Sequence, residues 1–224
     1  MSAASNPTRS PSVTPRGRID KQQAVLAAAF TVFARVGYAQ ARVDEIAAEA
    51  RVAKATVYNH FGDKETVFRQ VVRSLTNSAL AANLAAVDQL CGDGTDLPAS
   101  LREVGLRLAT CYCLEESRAL RRLVAAESAH FPDLIDIVAE VPHRVVQSLA
   151  DRLSRLALAG ALRFDDPELA ATHFTALLTG SIDTRSKLGT YPLATAELRT
   201  ISDAATTTFL KAFGSPTHSA RGEG

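Results

Sequence analysis

The stretch Val43–Glu65, VDEIAAEARVAKATVYNHFGDKE, decides how the rest of the chain is read. It divides into two short helices joined by a tight turn. Val43, Ile46, Ala47 and Ala50 recur at helical spacing, so the first helix has one apolar face. Ala47 is small where the helices must cross closely, and Val52 in the turn and Val57 in the second helix close the wedge. These offsets are the packing pattern of a helix-turn-helix. The second helix is then left to present Lys54, Ala55, Thr56, Tyr58, Asn59 and His60 outward. A helix of this kind fits the major groove of B-DNA, which is about 12 Å wide. Lys54 can reach a base edge or a phosphate, and Thr56, Tyr58 and His60 can hydrogen-bond phosphate oxygens. The plainer alternative is a helical hairpin that merely carries Tyr58 and His60 on its surface, but bare hairpins rarely combine small crossing residues with an outward polar cluster.

Charge supports a polyanion partner for this end of the chain. The net charge of +1 over 224 residues hides an asymmetry. Residues 1–76 carry 11 Lys and Arg against 6 Asp and Glu, and the remainder carries 14 against 18, giving +5 and −4. A basic front on an acidic body points to the front as the part that meets nucleic acid. No apolar run approaches the ~20 residues of a membrane helix and no hydrophobic leader opens the chain, so a cytoplasmic protein without membrane association is expected. Cys91, Cys111 and Cys113 match no metal-binding spacing; Cys111 and Cys113 read as small buried hydrophobes, with a thiol sensor as the sharper alternative.

Outward from the decisive stretch, the chain is helical throughout and shows no convincing strand. Residues 1–17, rich in Ser, Pro and Thr with Arg9 and Arg16, read as a disordered basic tail that could follow the DNA backbone. A first helix is expected over 19–36, with Leu26, Phe30 and Phe33 on one stripe and Gly37 ending it. Asp63 is placed to cap a long helix from Thr66 to about Leu90. Residues 91–96 form a loop, and Pro98 sits near the start of a helix to about Cys113. Helices are expected over 115–130, from Pro132 to a break imposed by Pro142 near Glu140, over 143–159, from Pro167 to about Lys187, and over 192–213. The division is a tail at 1–17, a helix-turn-helix head at 18–64, a helical body at 65–214 and a polar tail at 215–224.

The run Ala28–Phe68, with Phe33, Gly37-Tyr38, Ile46-Ala47, Val57-Tyr58, His60-Phe61 and Lys64-Glu65, resembles the DNA-binding domain of TetR-family regulators. The segment LRRLVAAESAHFPDLIDIVAEV, through Arg121, Arg122, Glu127, His130, Phe131, Pro132 and Leu134, resembles the C-terminal domain of the AefR-like branch. The resemblance implies an all-α protein with a three-helix head and a larger ligand-binding and dimerisation domain. It also implies a phosphate contact for Lys64. Three positions depart from the family pattern. Arg51 stands where the turn usually carries Gly, which implies either a strained turn or a phosphate contact. Ala55 replaces a common Gly, and Ala41-Arg42 replaces the usual hydroxyl pair ahead of the first short helix, so that Arg42 can offer charge to a phosphate in place of a cap.

A single recognition helix makes few base contacts, and two copies reading half-sites about one helical turn apart, ~34–36 Å, would double them. The apolar faces of the last two long helices, with Phe174, Leu177, Leu178, Leu198, Ile201 and Phe209, are the expected interface of a homodimer on a palindromic operator. The middle helices are expected to enclose a pocket for a small-molecule effector, with Leu108, Cys111, Tyr112, Glu127, Phe131, Phe174 and Leu178 as candidate walls. Glu127 would either bind a polar ligand group or pair with Arg121 or Arg122. An enzyme carrying a DNA tether is the competing class. It would need a nucleophile–base pair or a metal-ligand spacing, whereas His130, His143 and His173 are isolated and the acids are dispersed. No catalytic residue, metal ligand or cofactor is therefore assigned. A DNA binder without any ligand would require a fully packed body.

Overall fold

The computed structural model describes residues 15–90, 96–188 and 191–215. Among them it contains nine helices: α1 (Pro15–Gln40), α2 (Val43–Glu49), α3 (Lys54–Phe61), α4 (Lys64–Val87), α5 (Leu97–Cys113), α6 (Glu115–Glu127), α7 (Asp133–Leu158), α8 (Pro167–Arg185) and α9 (Thr195–Phe213). The chain divides into two compact units that meet in sequence between Val71 and Val72.

The first unit is built on α1, whose Val25, Leu26, Ala29, Val32 and Phe33 are buried. Gly37 interrupts this helix with φ 75° and ψ 171°, a conformation that glycine adopts without strain. The chain then turns so that Tyr38 meets Phe68, ring centroids 4.9 Å apart, while Phe33 meets Phe68 edge-on at 5.0 Å. Val67, Phe68 and Val71 are sealed in the protein interior. The head therefore closes at Val71 and not at Lys64, because the first two turns of α4 supply part of its core. α2 and α3 pack through Ile46, Ala47, Val57 and Phe61, all buried, as the wedge pattern requires. The Val52 N–H donates to the Ala47 carbonyl across the turn (3.0 Å).

Arg51 occupies that turn with φ 55°. The left-handed conformation expected from the resemblance is present, and a side chain bears it at a cost. Arg51→Gly should raise the stability of the head by about 0.5–1 kcal/mol, less than the full strain because glycine also loses more entropy on folding. Thermal or urea unfolding checks this, and an unchanged midpoint would mean the turn is relaxed around arginine.

The second unit is a helical body. Leu101, Val104 and Leu108 of α5, Leu149 and Leu153 of α7, Phe174, Leu178 and Ile182 of α8 and Leu198, Ile201 and Phe209 of α9 form one continuous core. Gly105 marks the tightest crossing: a Cβ there would lie 2.5 Å from Ser202 Oγ and 3.3 Å from Phe174. Ser202 uses that approach to donate to the Arg102 carbonyl at 2.7 Å. Asp96 caps α5 through the Ala99 N–H, and Asp166 caps α8 through the Glu168 and Leu169 N–H groups. Asp63 accepts from the Thr66 N–H at 2.7 Å, which holds its carboxyl below the usual carboxylate range.

Several boundaries differ from those read in sequence. α1 already includes Pro15, so the helix opens before residue 18, and the rest of the expected basic tail lies outside the described residues. α7 runs unbroken from Asp133 to Leu158 through Pro142. Pro142 lacks an N–H, which deprives the Val138 carbonyl of its helical donor, but helical conformation continues on either side of it. α6 stops at Glu127 and α9 starts at Thr195, after Pro192. Ser215 is buried and its N–H donates to the Ala161 carbonyl, with Leu162 and Gly214 bridged beside it, so the body extends through 215. Residues 216–224 and Cys91 lie outside the described residues.

Candidate nucleic-acid interface and ligand cavity

On α3 the inward face is Val57 and Phe61, and the outward face carries the polar set. Lys54, Ala55, Asn59 and Tyr58 are exposed, Tyr58 at 44%, whereas Thr56 and His60 are half-buried. Arg42 is exposed immediately before α2, and neither α2 nor α3 has a side-chain N-cap, as Ala41-Arg42 foretells. The uncapped start of α3 lies at the exposed residues Lys54 and Ala55, a suitable arrangement for phosphate oxygens.

Two lysines are not placed as the sequence reading had them. Lys54 is ion-paired with Asp44 at 2.9 Å, and that hydrogen bond holds its ammonium above the usual lysine range. Both partners are half exposed, so the pair is weak and can exchange for a phosphate. Lys64 is engaged inside the head. Its Nζ donates to the carbonyls of Tyr38, Ala39 and Ala41 at 2.9, 3.4 and 3.2 Å and lies 4.4 Å from the Tyr38 ring centroid. A cation at a helix N-terminus opposes the helix dipole. Here it is held by carbonyls that lie where α1 ends at Gln40 and the chain becomes extended at Arg42, so Lys64 fastens the end of α1 to the start of α4.

The body contains a cavity of about 600 Å³. Its walls are largely apolar and come from α4, α5, α6, α7 and α8, including Leu120, Val124, Val138, Val145 and Ile182. Leu108, Cys111, Tyr112 and Leu178 line it as expected. Glu127, Phe131 and Phe174 do not. Glu127 ends α6, its carbonyl accepting from the His130 and Phe131 N–H groups, and Phe131 is buried just beyond. Phe174 is fully buried against Phe209, centroids 5.2 Å apart. Arg121, which the sequence reading offered to Glu127, instead stacks 3.9 Å above the Tyr112 ring and donates to the Tyr112 carbonyl. The Tyr112 hydroxyl donates to Asp183 at 3.0 Å, and burial pushes its phenol above the usual range. Burial likewise raises the thiols of Cys111 and Cys113, the opposite of what a reactive sensor requires.

Sequence reasoning missed Thr76, Asn83 and Arg121 as cavity residues. The signal was available on α4, where Thr76, Ala79 and Asn83 recur on one helical face. The expected dimer residues also need correction. Phe174, Leu178, Leu198, Ile201 and Phe209 are all within 4% of full burial in their own subunit, because α5 packs across α8 and α9 and consumes their large apolar faces. Leu177 alone of that set is only partly covered. The outward face of α8 instead carries Thr172, Ala176, Gly180 and Thr184, and that of α9 carries Thr200, Ala204 and Thr207.

Among the described residues no cluster of His, Cys, Asp and Glu could hold a metal ion, and no helix is long and apolar enough to cross a membrane. Residues 25–71 match the description "Bacterial regulatory proteins, tetR family", and residues 99–215 match "AefR-like transcriptional repressor, C-terminal domain". A TetR-family transcriptional regulator from Mesorhizobium loti MAFF303099 shares 30% identity and superposes with a TM-score of 0.80, over 88% of this chain and 98% of that one. The flavonoid-responsive regulator FrrA is 28% identical with a TM-score of 0.66, over 87% of this chain and 97% of that one. The HTH-type transcriptional regulator YvkB of Bacillus subtilis is 26% identical over 167 residues, 74% of this chain and 82% of that protein. These relatives are transcriptional regulators of a family that binds DNA and acts as dimers. With an AefR-like match over more than half its length and a helix-turn-helix whose polar face is open to solvent, the chain belongs to the TetR family and is a DNA-binding transcriptional regulator.

Proposed function

We propose that the protein is a homodimeric repressor that holds a two-fold symmetric operator through α3 and releases it when a small molecule occupies the body cavity. The observation that carries this reading is the cavity itself. A body whose only task was to pair subunits would gain by filling ~600 Å³ of apolar space, since empty volume forfeits packing energy. For the same reason the ligand-free DNA binder is the weaker reading. FrrA, 28% identical, is responsive to a flavonoid, which supports a small-molecule effector here. α4 lines the cavity with Thr76, Ala79 and Asn83, and its first two turns belong to the head, so the same helix runs from the DNA-binding unit into the wall of the cavity. The coupling required is modest, about 1–3 kcal/mol. The working compartment would be the bacterial cytoplasm, where the operator lies.

The DNA contacts are assigned to Arg42, Lys54, Ala55, Thr56, Tyr58, Asn59 and His60, and Lys64 is given the role of fastening the head. Tyr58→Ala should weaken operator binding about 3- to 10-fold, the loss of one neutral hydrogen bond. The salt dependence should stay as steep as in the parent protein, about 0.9 log units of K per neutralised phosphate per log unit of salt, because the phenol carries no charge. Fluorescence anisotropy on labelled operator across a salt series reads both quantities. Undiminished affinity in this variant would remove Tyr58 from the interface, and a flat salt response would contradict the phosphate contacts as a set.

A further inference from the structure

Most polar groups in the cavity wall are already engaged. The Thr175 hydroxyl donates to the carbonyls of its own helix at Ala171 and Thr172, Thr179 donates to Thr175, and Ser128 donates to Ala125. Asn83 donates to Ala79, and the Tyr112 hydroxyl is given to Asp183. Two groups matter most for a ligand. Thr76 is 1% exposed, lines the cavity, and its Oγ1 has no hydrogen-bond partner. Such an orphan in an apolar setting is costly unless something fills the space beside it. Arg121 also lines the cavity, and of its five donors one is used, on the Tyr112 carbonyl. No Asp or Glu lies in the wall. Asp183, beyond Tyr112, holds the phenol hydroxyl and makes no ion pair with the guanidinium. The cavity is thus an apolar chamber with one fixed positive charge, steadied by its stacking on Tyr112, and a fully buried hydroxyl, Thr76, that lacks a partner.

We propose that the cavity binds a hydrophobic organic anion, a carboxylate or phenolate on an apolar body, with its charged oxygen on Arg121 and a second oxygen, or the far side of the same group, on Thr76. The inference rests on the effector reading above but concerns the ligand class alone. A planar guanidinium favours oxygen anions and repels quaternary or protonated amines. The predominantly apolar wall excludes small hydrophilic anions, which would lose hydration without replacing it.

The test uses the full chain without DNA and three probes of equal length: dodecanoate, dodecanol and dodecyltrimethylammonium, each below its micelle concentration. Isothermal titration calorimetry should show dodecanoate binding at least tenfold tighter than dodecanol, with the cation weakest. Arg121→Met, which keeps the apolar stem, should bring the carboxylate-to-alcohol ratio close to one, and Arg121→Lys should retain a preference for the anion. Thr76→Val, the same shape without the oxygen, should weaken dodecanoate a few-fold while keeping the fold. Equal or tighter binding of the cation or the alcohol, no binding by any probe, or an anion preference that survives in Arg121→Met would each overturn the proposal. Gel shift with operator DNA then separates the two claims. Anion binding with the stated Arg121 dependence but no release of DNA would uphold the ligand class and count against the effector reading.

Discussion

Replacing Lys64 by methionine should destabilise the head by about 1.5–3 kcal/mol, the range for hydrogen bonds to a charged group. The stem length is retained, so the loss isolates the ammonium. Its removal leaves the carbonyls of Tyr38, Ala39 and Ala41 short of a donor at the place where α1 ends. The contact with the Tyr38 ring is lost with it. Because Tyr38 packs on Phe68, the damage should spread to the aromatic cluster of the head and leave the body's unfolding unchanged. Hydrogen exchange at the amides of the head, compared with those of α5 and α9, gives the readout. A lysine serving a phosphate would behave differently: stability would hold, and the salt dependence of DNA binding would flatten by about one unit.

Gly180→Arg should convert the dimer to monomers and lower operator affinity about 100-fold or more, since one half-site supplies only part of the 4–10 kcal/mol that distinguishes specific from non-specific binding. A side chain at this position meets nothing within 4 Å in its own subunit, so the variant should fold. Thr172, Ala176, Gly180 and Thr184 form an exposed ridge at four-residue spacing on α8, beside Thr200, Ala204 and Thr207 on α9. Small residues let two helices approach closely, and an arginine in the ridge would hold the pairs of helices apart. Sedimentation velocity and circular dichroism check the two halves of this expectation. A dimer that survives the substitution would move the interface elsewhere.

The contrast between head and body shows what the sequence made legible. In the head each position has a local reason. Ile46, Ala47, Val52 and Val57 fix the wedge, Gly37 breaks α1, Asp63 starts α4, and whatever polar residues remain on α3 must face out. Short-range spacing carries that information, so the fold and most of the DNA face could be read directly. Lys64 escaped because its partners are the carbonyls of residues 38, 39 and 41, and backbone oxygens have no sequence signature. In the body the helices were legible but their faces were not. Phe174 and Phe209 are as apolar as interface residues would be, and only the position of α5, set by the absence of a side chain at Gly105, shows that they are consumed internally. Pro142 looked like a terminator because the cost of a missing N–H is local, whereas the packing that carries α7 past it is tertiary. The cavity residues Thr76 and Arg121 come from separate helices and become neighbours of one chamber only when α4 and α6 fold against the rest of the body.

The most direct test of the account is selection of bound duplexes from a random pool by the full-length protein, followed by sequencing. The expected product is an inverted repeat whose two arms are spaced by about one helical turn or a multiple of it, with the arms lost when Gly180→Arg is used in its place. Recovery of a single unrepeated site, or of no common sequence at all, would contradict the account.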